Sequence, residues 1–334
     1  EVVRFNVGDS AHFITHYDDD SMAEIIGAID ELQPVDRVQL LNEATLLARA
    51  GVTHSAQLIP LLHAYKNETN EPVWGMMGAA LAELRKFVED DPEAEKKLRQ
   101  LSGRVAQTQY ERLGWESKPG ESEDDTKLRS IVIGLTLYGE NQDAIASAKK
   151  LYETTKLEDL DPELRPLIIS SVARYGDGKI VDDMLAIYKS TSSSELQNDI
   201  CLGVTSTRVP EKITELLAII KDSEIVRPQD VMRWFVYLIR GRESRVATWQ
   251  WIRDSWDWVE ETFGSDKSYD TFPRYAASAL ISTSELNEYK AFFEPKKDEP
   301  ALTRVISVGI SEIEGRVELI ERDKAGVQQA LKSL

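Results

Sequence analysis

Apolar residues recur at intervals of three and four along almost the whole chain, the period of helices with one buried face. Only the first eighteen residues depart from it. There Val3, Phe5 and Val7 alternate with Arg4 and Asn6, Gly8-Asp9 offers a turn, and a second run follows from His12 to Tyr17. That pattern predicts a short β-hairpin or strand. Asp18-Asp19-Asp20-Ser21 then supplies oxygens for the unpaired first-turn N–H groups of a helix. Ile25, Ile26, Ile29 and Leu32 form its stripe, which ends at Pro34. Asp36 is expected to cap the next helix, whose Leu40, Leu41, Ala44, Leu47 and Ala48 share a face and which Gly51 stops. Helices are predicted over 54–65 and 72–88, the second with Trp74, Met77, Leu81 and Leu84 on one face. Asp90-Asp91-Pro92 opens a long one toward Leu113.

A polar loop from Gly114 to Thr126 interrupts the helices, and a repeat follows it. Leu128-Arg129 recurs as Leu164-Arg165 and Tyr152 as Tyr188, both 36 residues on, while Tyr138-Gly139 recurs one residue out of step as Tyr175-Gly176. Residues 198–206 and 211–221 make a weaker third copy, with Pro210 at the start of its second helix. Helix, glycine turn and helix at such spacing mark a stacked array. Further helices are expected from Arg227 to Arg240, over 247–263, near 272–281, 284–293 and 300–320, and last from an Asp323 cap to Leu334. The fold class is therefore all-α, an α-solenoid of HEAT- or armadillo-like helical hairpins with a short N-terminal β-hairpin or strand. Residues 1–18 read as a β segment belonging to an upstream domain. Residues 19–334 read as one helical superhelix, with a possible subdivision near 113–127.

Of the 334 residues, 42% are hydrophobic and 29% charged, a globular balance. No apolar run approaches the roughly 20 residues that span a bilayer, and no charged-then-apolar leader opens the chain. The sequence starts in mid-pattern at Glu1-Val2-Val3 without a methionine, which predicts a piece of a longer polypeptide. Its single cysteine, Cys201, rules out a disulfide framework and reads as a small buried hydrophobe, which fits a reducing compartment and leans toward the cytoplasm. A net charge of −18 argues against nucleic acid and anionic membranes as electrostatic partners.

Catalytic patterns are sparse. His12 and His16 sit four apart in HFITH, but Phe13 stands where the zinc peptidases' H-E-x-x-H has its general base, and the segment reads as strand. His54 and His63 have no acidic third ligand at a recognisable spacing. No phosphate-cradling glycine loop, G-x-S-x-G elbow or Cys–His pair is present. The acidic loop lacks the ligand spacing of a calcium loop. Two rows of tryptophans, Trp249 with Trp256 and Trp251 with Trp258, suit inter-helix packing better than an aromatic ligand box. By itself the chain carries no complete catalytic set, and no cofactor is expected on it.

Several blocks in fixed order resemble the C-terminal helical domain of the aminopeptidase N family of zinc metallopeptidases, a domain best known from the endoplasmic-reticulum aminopeptidases. The run FNVGDSAHFITHYDDD is similar to the family's leading strand, commonly Gly-Tyr-Tyr-Arg-Val-Asn-Tyr-Asp; Asn6, Phe13, Tyr17 and Asp18 keep to it, and Ile14 replaces the usual arginine. Residues 36–51 resemble its Asp-Arg…Leu-Ala-x-x-Gly helix, with Glu43 in the acidic place, and Glu71 and Trp74 its next helix. Leu113-Gly114-Trp115, Glu121-Ser122 and Leu128-Arg129 form the most specific block. Gln229-Asp230, Arg245 with Trp249, Trp256-Asp257 and Phe292-Phe293 follow in order.

The resemblance implies a curved helical bowl that caps an upstream catalytic domain, encloses a peptide chamber and influences which peptides are taken. The parent would be a zinc metalloaminopeptidase releasing N-terminal residues. Its H-E-x-x-H zinc site and Gly-x-Met-Glu-Asn amine site are absent from this sequence, so zinc is expected only in the catalytic domain. The implied partners are that domain and a peptide substrate. Arg233, Tyr237 and Arg240 share a helix face and Arg245 follows the turn, so these four are the candidate substrate-binding residues, through pairing with a peptide carboxylate. Ion pairs between helices are the competing reading for each arginine. Two other functions compete: a free-standing α-solenoid scaffold, and an isolated enzyme using His12 and His16 with a metal.

Overall fold

In the computed structural model, which describes residues 3–334, most helices start where a short side chain or a proline meets the first turn. The first, α1 (Asp19–Gly27), is capped by Asp18, which accepts from the Ser21 N–H at 2.8 Å. Then come α2 (Pro34–Arg49), α3 (Leu58–Ala64), α4 (Glu71–Leu84) and α5 (Pro92–Leu113), the last capped by Asp91. They are followed by α6 (Glu123–Tyr138), capped by Ser122, α7 (Gln142–Thr154), α8 (Arg165–Tyr175) and α9 (Gly178–Ser190), capped by Asp177. Next are α10 (Ser194–Val204), capped by Ser193, α11 (Pro210–Ile219), α12 (Pro228–Arg240) and α13 (Arg245–Asp254). The chain closes with α14 (Trp256–Phe263), α15 (Thr271–Ala279), α16 (Thr283–Phe293) and α17 (Pro300–Lys332). Short 3-10 turns extend or join several of them, and the fold is all-α among the described residues.

The chain divides into two compact units, one of residues up to Ser147 with Leu319–Leu334, the other Ala148–Glu318. In the first, α4 packs on α2 and α6, with Trp74, Met77, Leu81 and Leu84 fully buried as the sequence pattern expects. The Trp74 indole N–H donates to the Glu68 carbonyl at 3.0 Å, so the large side chain is buried without an orphaned donor. α5 crosses α6 closely at two glycines; a Cβ on Gly139 would stand 3.0 Å from the Gly103 Cα. Gly51, just past α2, adopts φ +76°, the left-handed turn that makes it a helix stop.

The expected β-hairpin does not form. Glu1 and Val2, where it would begin, lie outside the described residues; residues 3–18 are turns and irregular chain. The physical reason is that no second strand is at hand. The segment's polar groups are taken by helix side chains instead: Gly8 N–H donates to Asp36 at 2.8 Å and Thr15 N–H to Glu43 at 3.1 Å. Asp36 is thereby diverted from capping. α2 starts two residues earlier at Pro34, and Asp36 is buried in its first turn. Asp323 does not cap a separate helix either; it lies inside α17, which continues to Lys332. The tryptophan-rich helix is broken at Ser255 into α13 and α14.

In the second unit, α8 packs on α9 and α10, α10 on α9 and α12, and α9 on α11. Gly203 of α10 makes the contact with α8 possible, since a Cβ there would fall 2.0 Å from the Ile169 Cγ2. The repeated arginine takes different partners at its two positions: Arg165 bridges to Asp199 and Glu195 of α10, both at 2.6 Å. Its counterpart in the first unit, Arg129, is buried and pairs with Glu121 and Ser117. Trp249 and Trp256 are buried among Tyr289, Phe292 and Phe293, ring centroids 5.1 to 6.4 Å away, so that row packs the core. Trp251 and Trp258 are half-buried and meet edge to face at 6.0 Å.

Candidate functional site

The four candidate residues lie on α12 and at the start of α13, in the second unit. The apolar side of α12 is buried through Val231, Trp234, Phe235, Leu238 and Ile239, and this turns the row Arg233, Tyr237, Arg240 away from the core. The row is not uniform. Arg233 bonds Asn198 of α10 and stands 3.3 Å from Asp230 one turn back, so its charge is already matched within the unit. Tyr237 is half-buried. Arg240, the last residue of α12, is exposed, and its guanidinium sits 4.9 Å from the Tyr275 ring centroid. Arg245 is held the other way, its Nε 3.7 Å from Glu285, with little of the side chain exposed.

Arg240 is thus the candidate best placed to meet a ligand. A guanidinium stacked on a ring keeps its N–H edge free to donate, and stacking removes part of the rotational freedom that binding would otherwise have to freeze. Beside it, the turn after α12 carries exposed Arg242 and Glu243. Glu243 accepts from Arg174 at 3.0 Å and lies 3.5 Å from Arg208, whose guanidinium stacks on Tyr175 at 5.1 Å. One carboxylate, Glu243, is therefore shared by Arg174 and Arg208. Sequence reasoning offered Arg240 but gave no sign of Arg174, Arg208 or Tyr275. Those come from α8, the loop before α11 and α15, and no linear spacing relates them.

Other candidates resolve into structure. Burial pushes the Cys201 thiol up, which leaves it a poor nucleophile. Both His12 and His16 are exposed on the leading segment. His54, Ser55 and Asp323 do converge, a constellation the sequence did not suggest because 268 residues separate Ser55 from Asp323. Both partners address the carboxylate: Ser55 donates its hydroxyl at 2.6 Å and its N–H at 2.8 Å, and His54 Nδ1 lies 3.0 Å away. A nucleophile needs its hydroxyl on the base, and here Ser55 is buried and bonded to the acid. Burial alone would raise the Asp323 pKa, yet hydrogen bonds from Arg322, Ser55 and His54 outweigh it and hold the carboxyl well below its usual range. The cluster is a staple between α17 and the loop after α2.

Among the described residues no three His, Cys, Asp or Glu side chains converge to hold a metal ion. No described helix is long and apolar enough to cross a membrane.

Comparison with known proteins adds what geometry alone does not. A family described as ERAP1-like C-terminal domain matches residues 2–315. Aminopeptidase N of Lactobacillus helveticus is 34% identical over 332 residues, 98% of this chain and 39% of that protein. Aminopeptidase N of Lactococcus lactis subsp. lactis (strain IL1403) is also 34% identical over the same shares. Aminopeptidase M1-B of Oryza sativa subsp. japonica is 24% identical over 352 residues, 99% of this chain and 39% of that protein. The chain spans about two fifths of the length of these curated relatives.

Proposed function

Because the chain belongs to the ERAP1-like C-terminal domain family, we propose that it is the non-catalytic C-terminal lid of a zinc aminopeptidase. In this reading the parent releases N-terminal residues from peptides in the cytoplasm, with zinc held by an upstream catalytic domain. This chain encloses the peptide chamber and influences which substrates are held. The observation that carries the reading is the match to aminopeptidase N proteins over 98% of the chain but only 39% of theirs. Stacking of α8 through α11, hairpin on hairpin, supports a HEAT-like solenoid as the platform.

The chain's own contribution is binding. Arg240, backed by Tyr275, takes the distal carboxylate of a peptide whose amino end lies in the catalytic domain. Arg233 and Arg245, being paired inside the unit, shape the helix ends rather than touch substrate, and Tyr237 offers a half-exposed ring beside the peptide. The test is Arg240→Ala in the full-length enzyme. The kcat/KM on longer peptides should fall roughly 3- to 10-fold, a loss suited to one partly exposed charge-assisted bond. Hydrolysis of a single-residue aminoacyl reporter should not change. Equal kinetics on peptides of every length would remove Arg240 from the site.

A further inference from the structure

The second tryptophan row is not spent on the core. Trp251 of α13 and Trp258 of α14 stand on either side of the break at Ser255, both half-buried, with their planes at 65° to one another. Behind them runs a chain of buried phenyl rings. Phe235 meets Trp251 at 6.4 Å, Phe263 meets Trp258 at 5.8 Å, and Phe272 meets both phenylalanines at 5.2 Å. The two indoles are thus held from behind, so a ligand on their outer side has little side-chain freedom to freeze.

What lies over them is a cation. Lys221, in the turn after α11, has its Nζ 5.7 Å from each of the two ring centroids. An ammonium at that range is attracted by the negative face of the ring, and two rings at a wide angle make two walls of a cage. Lys221 is exposed, and its ammonium makes no ion pair among the described residues although Asp222 is its chain neighbour. Lys296 gives the contrast. It also lies over two rings, Trp256 at 5.5 Å and Phe292 at 5.1 Å, but Glu260 stands 3.8 Å from its ammonium and Trp256 is core. Lys296 is fixed structure; Lys221 rests on an open pair of rings and is free to leave it. Asp222, Asp257 and Glu261, exposed beside Lys221 and Trp258 along the chain, add to the attraction for a cation in a protein of net charge −18.

We propose that Trp251 and Trp258 are a binding site for the ammonium group of a lysine side chain on a bound peptide, and that Lys221 is its built-in stand-in. A lysine is the matched ligand because the group already seated there is one, a primary ammonium on a flexible four-carbon stem. When the ligand arrives, Lys221 swings into solvent and the ligand's ammonium takes its place over the indoles. The site takes a cation where Arg240 takes a carboxylate, so it does not depend on the function proposed above.

The probe is an Ala-Lys-Ala peptide acetylated at one end and amidated at the other, which offers neither a terminal amine nor a terminal carboxylate. Its counterpart carries norleucine in place of lysine, with the stem but not the charge. In a ligand-observed NMR titration of the full-length protein, the lysine peptide should bind roughly 3- to 10-fold tighter than the norleucine peptide, the weight of partly exposed cation–π contacts. Lys221→Met removes the competitor, so the lysine peptide should then bind at least ~3-fold tighter than it does to the wild type. Adding Trp258→Leu to that variant should bring the two peptides to equal affinity. Equal affinity of Lys221→Met for the two peptides overturns the site, and no gain over the wild type overturns the stand-in. A lysine preference that survives Trp258→Leu also overturns the site, because charge alone would then be its cause. Lys221→Met changes an exposed residue, so its result does not depend on how far Trp258→Leu destabilises the fold.

Discussion

Asp323 shows how one side chain can be misplaced by pattern and explained by contacts. The sequence made it a helix cap; the structure makes it an interior anion that collects donors from Ser55, His54 and Arg322. Asp323→Asn should therefore destabilise the chain by about 2–4 kcal/mol, measured by denaturant unfolding at neutral pH, since it leaves buried donors facing a neutral amide. The pH dependence has a definite sign. The folded pKa is depressed, so the contribution is fully present above the unfolded carboxylate value of about 3.9. It is lost as pH falls through the lower folded value, at strongly acid pH. The wild-type excess over the asparagine variant should shrink only there. Cys201 gives a second residue-scale prediction. Buried, with its thiol pushed up by that burial, it should resist alkylation in the native chain and react on unfolding. Labelling of native protein at the rate of a free thiol would contradict this.

At the scale of elements, close helix crossings are set by residues with no side chain to advertise them. Gly203→Ala would drive a methyl into Ile169 and should cost about 1–3 kcal/mol through overpacking of α8 against α10. Because the clash is with that one side chain, adding Ile169→Ala should yield a double variant less destabilised than the sum of the singles. Strict additivity would mean the helices move apart instead. The helices themselves were legible in the sequence: the α4 stripe, the Asp91 cap and the Pro210 start all stand where the pattern put them. Three features were not. α17 runs through Asp323, α13 and α14 part at Ser255, and residues 3–18 form no hairpin. For Asp323 and for residues 3–18 a local signal lost to a tertiary one. Asp323 is claimed by a loop far back in the chain, and the strand-like run is claimed by Asp36 and Glu43 of α2.

For the whole molecule, composition and site divide the reading between them. The net charge is −18, and under the proposed role of Arg240 the binding of an acidic peptide to the full-length protein should weaken with salt. The chain purified without the upstream part should release no amino acid from an aminoacyl reporter; robust cleavage would overturn the proposed division of labour. Arg240 could be picked from the sequence because Arg233, Tyr237 and Arg240 recur at helical spacing. Only the fold separated Arg240 from its neighbours, by giving Arg233 to Asn198 and Asp230, Arg245 to Glu285, and Tyr275 to Arg240.

What the sequence alone determined is the all-helical class and the family, because these rest on short-range periodicity and on the order of blocks along the chain. Tertiary structure alone decided which charges are spent within the fold and which tryptophans are core. The reason is physical: a helix's period depends on neighbours three and four residues away, whereas a side chain's partner depends on whatever another element brings within about 4 Å.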